Sequence, residues 1–195
     1  MQSTKTVAVI GDSICVGYFP LVQASLAPLD LTLVHAMGGS SADLLAGLDE
    51  WVIQHQPGLV HFNCGLHDLR YRVERKDHQV ELDEYAQNLR RIIDRLLRGQ
   101  WAEAKVIFAT TTPVIEAHHN RSGNMHRFNK DVDAYNACAV AVMSELNVPL
   151  HDLHRVIVEN GIETCIGTDG RHATETGNRV LAEAVTRVIR AALAI

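Results

Sequence analysis

Positive charge is what this chain has least to spare. Its 195 residues carry 18 lysines and arginines against 23 aspartates and glutamates, and the bases are scattered among the acids. Without a basic field there is no footprint for nucleic acid, so no polyanion partner is expected. Long hydrophobic runs are missing as well. The opening residues, Met1-Gln2-Ser3-Thr4-Lys5-Thr6, lead straight into a strand pattern without the apolar core of a signal peptide, and no later run approaches membrane-spanning length. The expectation is a soluble, cytoplasmic protein with no membrane partner. Cysteine is sparse: Cys15, Cys64, Cys138 and Cys165 form no C-x-x-C motif, which points to reduced, mostly buried thiols. Aromatic residues reach only 5%, and no long apolar segment is left over to form a lid. Repeats, low-complexity tracts and linker-like stretches are also missing, so one domain over residues 1–195 is expected.

Against these absences stand 47% hydrophobic residues, enough for a substantial core. Short β-rich runs alternate with longer amphipathic ones. Strands are predicted at 6–10, 31–35, 59–64, 105–110 and 148–151, and helices at 16–27, 42–54, 82–97, 130–145 and 175–193. In the last helix Val180, Leu181, Ala184, Val185, Val188 and Ile189 form one apolar face at helical spacing, suited to packing on a sheet. This rhythm predicts an α/β fold: a three-layer α/β/α domain whose flavodoxin-like, five-stranded parallel sheet runs in the order 2-1-3-4-5. In such a sheet the loops after the strands make the binding edge. Those loops hold Ser13, Gly38-Gly39-Ser40-Ser41, Gly65-Leu66-His67-Asp68 and Thr112-Pro113. The irregular stretch 114–128, with His118, His119, Arg121, His126 and Arg127, is expected to rim the same edge.

Gly11-Asp12-Ser13 follows the first apolar run and opens a helix, which exposes the Ser13 hydroxyl among backbone N–H groups. A hydroxyl is a weak nucleophile until a base takes its proton, and the base works best when a carboxylate fixes its tautomer. Asp169-Gly170-Arg171-His172 is the only Asp-x-x-His in the chain and falls in a loop just before the last helix. Three-residue spacing on a turn lets Asp169 reach one ring nitrogen of His172 while the other faces Ser13. Taken alone, each segment has a plainer alternative: Gly-Asp-Ser as a chance tripeptide, Asp169 as a turn residue, and His172 as one loop histidine among eleven. Cys15 is read as a small core residue, since a second nucleophile would need activating neighbours of its own.

In this order and placement the segments resemble the SGNH hydrolases, also called the GDSL esterase/lipase superfamily. The resemblance runs through the whole chain. Gly11-Asp12-Ser13 matches the family's nucleophile block, with Asp12 in support. Val34-His35-Ala36-Met37-Gly38-Gly39-Ser40-Ser41 looks like its second block, although an asparagine common at the start is Val34 here; Gly39 is then the glycine whose backbone N–H enters an oxyanion hole. Asp169 and His172 match the fourth block. The third block departs from the family's Gly-x-Asn-Asp: this chain reads Gly65-Leu66-His67-Asp68, so His67 stands at the donor position. Three roles are open to His67: oxyanion donor through its N–H, a group that tunes substrate choice, or a mark of weakened activity. Asp68 is expected to act as a structural acceptor that ties down its loop.

The resemblance implies a serine esterase. Ser13, Asp169 and His172 would be catalytic, and the Ser13 and Gly39 N–H groups and His67 would form the oxyanion hole. No metal or organic cofactor is called for. Thr110-Thr111-Thr112-Pro113-Val114, Asp131-Val132-Asp133-Ala134-Tyr135-Asn136 and Asp152-Leu153-His154 look like bacterial members often assigned to deacylating carbohydrates. The expected partner is therefore a small-molecule ester, with a short acyl group such as acetyl on a carbohydrate as first choice. Lysophospholipase or thioesterase activity is the alternative within enzymes. Two other classes compete: a non-catalytic flavodoxin-like binding module, and a metal site built from His118, His119 and His126 or from His151 and His154, which lacks an H-E-x-x-H motif or cysteine ligands. The first βα turn also lacks the G-x-G-x-x-G pattern of a dinucleotide site.

Overall fold

A computed structural model describes residues 5–97 and 104–195. In chain order the elements are β1 (Lys5–Gly11), α1 (Ser13–Leu26), β2 (Leu31–Met37), α2 (Ser41–Trp51), a 3-10 turn (Ile53–His55), β3 (Leu59–Asn63), β4 (Tyr71–Arg72), β5 (Asp77–His78) and α3 (Leu82–Leu96). Then come β6 (Lys105–Ala109), α4 (Glu116–His119), β7 (Met125–His126), α5 (Asn129–Glu145), β8 (Leu150–His151), α6 (Leu153–Glu159), α7 (Ile162–Cys165) and α8 (Glu175–Leu193). Five strands pair in parallel in the order β2-β1-β3-β6-β8, which is the expected 2-1-3-4-5 counted over those strands.

Strand alternation sends side chains to two separate cores, as a sheet covered on both faces requires. Ala8, Ile10, Val60, Phe62, Val106 and Phe108 point to one core, shared with Leu44 and Leu48 of α2, Leu89 and Ile92 of α3, and Val132 and Ala139 of α5. Val7, Val9, Leu59, Ile107 and Ala109 point to the other, against Tyr18 and Val22 of α1 and Leu181, Val185 and Ile189 of α8. Two layers of helices thus close their apolar stripes over the two faces of one sheet. Among the described residues, no helix is long and apolar enough to cross a membrane. All four cysteines are free.

Element ends differ from expectation for local reasons. The first helix begins at Ser13 rather than at residue 16, because the Asp12 side chain caps it. The second stops at Trp51 instead of running to residue 54; the chain tightens into the 3-10 turn and exits through Gln56 in a left-handed conformation, φ 53°. The last strand covers Leu150–His151 rather than 148–151, since Pro149 has no N–H to give a ladder. A second, antiparallel sheet in the order β5-β4-β7 went unexpected. Its strands are two residues each, too short to show a period.

One polar pair sits in the sheet itself. His61 of β3 is fully buried and meets His151 of β8, Nε2 to Nδ1, at 3.0 Å. Burial and the neighbouring imidazole push His61 down to about 3; burial, with Arg187 in support and Asp152 opposing, brings His151 to about 4. An unfolded histidine titrates near 6.5, so below that pH the unfolded chain binds protons the fold refuses. Stability is therefore complete above about pH 6.5 and is lost as pH falls toward 4, by up to about 1.4 kcal/mol per pH unit for each histidine. Asp68, discussed below, acts oppositely below pH 6, so a variant isolates the effect. In urea melts at pH 7, 6 and 5, His61→Gln is expected to show a flatter decline than the parent; parallel declines would contradict this account.

Candidate active site

The site forms where β1, β2 and β3 end. The Gly11 carbonyl accepts the Gly38 N–H at 2.7 Å, pinning the start of the β2 loop to the turn that carries Ser13. Asp12, fully buried, accepts the Ile14 N–H at 2.9 Å and so caps α1. Burial pushes the Asp12 carboxyl up, opposed by the Ile14 N–H, the Asn63 amide and the Arg127 charge. Ser13 is left as the first residue of α1, where free N–H groups and the positive end of the helix dipole lie. Cys15, also buried, has its thiol pushed up to about 12 by burial, and it packs in the core as expected.

Asp169 and His172 come from the loop between α7 and α8. Asp169 Oδ1 accepts the backbone N–H groups of Arg171 at 3.1 Å and His172 at 3.0 Å, which folds the turn. Its Oδ2 accepts a hydrogen bond from the His172 Nδ1–H at 2.5 Å. Burial would raise the Asp169 carboxyl, but these backbone N–H groups and the imidazole together hold it below the usual range. With the proton on Nδ1, Nε2 of His172 is bare and accepts from Ser13 Oγ at 2.9 Å. The fold thus joins residues 159 positions apart into one hydrogen-bonded relay.

Neighbouring loops hold the relay in place. Gly170 has φ 77°, and a Cβ there would sit 2.5 Å from both the Ile115 carbonyl and the His119 N–H. Ile115 in turn donates to the Gly170 carbonyl at 2.8 Å, so the 114–128 stretch docks directly on the Asp169 loop. Gly39 also needs a left-handed backbone, φ 65°, and a Cβ there would press on Asp43 Oδ2 at 2.8 Å. That Asp43 oxygen accepts from the Ser40 N–H and hydroxyl at 2.9 and 2.7 Å in the capping box of α2. Asp68 is fully buried and binds the first residue of α2: its carboxylate accepts the Ser41 N–H at 2.9 and 3.0 Å and the Ser41 hydroxyl. Burial pushes Asp68 up to about 6 even against these bonds.

His67 lies half-buried in the β3 loop with Nδ1 2.9 Å from Nη2 of Arg70. A guanidinium can only donate, so Nδ1 accepts and the proton resides on Nε2. Burial first, then Arg70, Arg127 and Arg171, push His67 down to about 4. At neutral pH it is an uncharged imidazole with one N–H of fixed identity. Arg127 was among the sequence candidates for the rim, yet its side chain is buried: Nε donates to the Leu66 carbonyl at 2.7 Å and Nη1 to His119 Nε2 at 2.7 Å. His119 Nδ1 lies 3.4 Å from the Asp169 carbonyl, so Arg127 bridges the His67 loop to the Asp169 loop. Sequence reading missed Arg70, gave Arg171 no role and placed Arg127 only at the rim. The i, i+3 spacing of His67 and Arg70 was the one available signal.

Two of the histidines weighed as metal ligands are engaged elsewhere: His151 pairs with His61 and His119 with Arg127. Among the described residues, no three His, Cys, Asp or Glu side chains are grouped to hold a metal ion.

Residues 9–180 match the GDSL-like Lipase/Acylhydrolase family. The chain belongs to that family. A GDSL esterase/lipase of rice, Oryza sativa subsp. japonica, is 27% identical over 119 residues, which are 58% of this chain and 45% of the relative. This chain therefore spans under half the length of that curated relative in the matched region. Among solved structures, a lipase/acylhydrolase from Enterococcus faecalis superposes with a TM-score of 0.81 at 21% identity, covering 96% of each chain. An acetylxylan esterase from Geobacillus stearothermophilus gives 0.74 at 22% identity, covering 96% of this chain and 94% of that one. Both likenesses are of fold, and they agree with the GDSL family's three-layer α/β/α architecture.

Proposed function

We propose that this GDSL-family protein is a serine esterase that removes short acyl groups, acetyl first, from a small polar substrate of carbohydrate type. The observation that carries the reading is the Ser13 Oγ, His172 Nε2, His172 Nδ1, Asp169 Oδ2 relay, with contacts of 2.9 and 2.5 Å. Ser13 Oγ attacks the ester carbonyl carbon as its proton passes to His172 Nε2. The resulting oxyanion is stabilised by the Ser13 and Gly39 N–H groups and by Nε2–H of His67, whose tautomer Arg70 sets. His172 then gives its proton to the leaving alkoxide, and the acyl group stays on Ser13. Water attacks that acyl-enzyme, yielding one proton to His172. Collapse releases the acid, and His172 returns the proton to Ser13 Oγ.

Because burial and the arginines hold His67 down to about 4, it is neutral at pH 7 and its donor is the Nε2–H alone. The acetyl preference is supported by the acetylxylan esterases of like fold. Free cysteines agree with a reducing, cytoplasmic setting for the reaction.

On p-nitrophenyl esters the rate is expected to be highest with acetate and to fall with chain length. Ser13→Ala and His172→Ala should each lose roughly 10⁴-fold or more in kcat while keeping the parent's circular dichroism. Activity in Ser13→Ala equal to the parent would end the reading, and a rate rising steadily toward long chains would end the acetyl preference. For the third donor, His67→Asn should retain most activity while His67→Ala loses about 100-fold in kcat. No change in either would remove His67 from the mechanism.

A further inference from the structure

Three arginines surround this same site, and beyond the Arg70 bond to His67 the esterase chemistry makes no use of them. Arg70 touches His67 at 2.9 Å, Arg171 places Nε 3.7 Å from Asp169 Oδ2, and buried Arg127 joins Leu66 to His119. After burial, all three lower the proton affinity of His67; Arg171 also depresses Arg70, and Arg70 and Arg171 depress Arg127, so the three charges share one neighbourhood. In a chain of formal net charge -5 this is a local concentration of positive charge.

The carboxylates nearby are already committed. Asp12 caps α1, Asp43 is bound to Ser40, and Asp169 is bound to its own turn and to His172. Arg70 Nε and Arg127 Nη2 are buried with no hydrogen-bond partner among the described residues. Gathering like charges and leaving guanidinium nitrogens unpaired costs stability unless something anionic is bound there. Arg127, 1% exposed, acts on the site through its field; Arg70 and Arg171, only partly buried, are able to touch a ligand.

Resting on the esterase reading, we propose that the preferred substrate is an ester whose alcohol portion carries a carboxylate, held by Arg171 with Arg70 beside the relay. The alcohol side follows from the chemistry. The leaving oxygen takes its proton from His172, so the alcohol lies against the loop in which Arg171 is the next residue. The Arg171 contact to Asp169 is loose at 3.7 Å, and the guanidinium fork fits a carboxylate in bidentate fashion. A monoanion is favoured over a dianion because Asp43 and Asp169 face the same space and repel excess negative charge.

The test compares three esters on the full chain at low and high NaCl: 3-acetoxybenzoate, its methyl ester, and phenyl hydrogen succinate, whose charge lies on the acyl side. The expected result is a kcat/KM for 3-acetoxybenzoate about tenfold or more above that of the methyl ester at low salt, mostly through KM and shrinking as salt is added. In folded Arg171→Gln the ratio between those two esters should fall toward one. Equal rates for the two, a preference that survives both salt and Arg171→Gln, or acceleration of the succinate alone would overturn the proposal. Hydrolysis of the methyl ester that depends on Ser13, without any preference for charge, would sink this inference and leave the esterase reading intact. No Ser13-dependent hydrolysis of any ester would remove both.

Discussion

The bond from His172 Nδ1 to Asp169 Oδ2 is the constraint on which the site depends. It decides which imidazole nitrogen carries the proton, and so leaves Nε2 bare to face Ser13. If the tautomer were reversed, Nε2–H would point at the hydroxyl and no base would be present. The bond is possible because Asp169 divides its labour: one oxygen organises the turn through two backbone N–H groups, and the other is free to orient the ring. A parallel device operates at His67, where Arg70 fixes the opposite arrangement, Nδ1 accepting and Nε2–H donating. Two imidazoles on the same sheet edge are thereby given complementary roles, one as acceptor and one as donor.

Both devices rely on loops that brace each other. Gly170 allows the backbone of 114–128 to approach the Asp169 turn, and that stretch supplies Arg127, which reaches across to the Leu66 carbonyl one residue before His67. Asp68 fastens the same β3 loop to the start of α2, next to Gly39. The three loops at the ends of β1, β2 and β3 are therefore connected by short polar links, and the sheet beneath them is rigidly packed on both faces. Preorganisation of this kind lets donors be in place before charge develops.

The fold was legible because its signals are long. Apolar stripes such as the one on α8, which runs over Glu175–Leu193 as expected, repeat over several turns, and the main strands alternate with such helices. Ser13, Asp169 and His172 were legible because each lies in a short motif at a predictable place relative to a strand or helix. What escaped notice lacked either property. The two-residue strands β4, β5 and β7 have no period, and Arg127 reads as an exposed loop residue until the fold shows it buried and bridging. Three segments that looked carbohydrate-related turned out to be scaffold ties: Asn136 holds both backbone groups of Thr111, Tyr135 donates to the Val80 carbonyl, and Asp152 caps α6 while accepting from Thr110. These bonds fasten the loop after β6 and the stretch before α3.

The central claim is that Ser13 is a nucleophile because His172 stands ready to take its proton. Covalent labelling by a serine-directed fluorophosphonate, with the modified residue located by mass spectrometry, tests it most directly. The account predicts a single adduct on Ser13 in the parent protein and a labelling rate reduced by orders of magnitude in folded His172→Ala. An adduct on another residue, or Ser13 labelling that proceeds equally fast without His172, would contradict it.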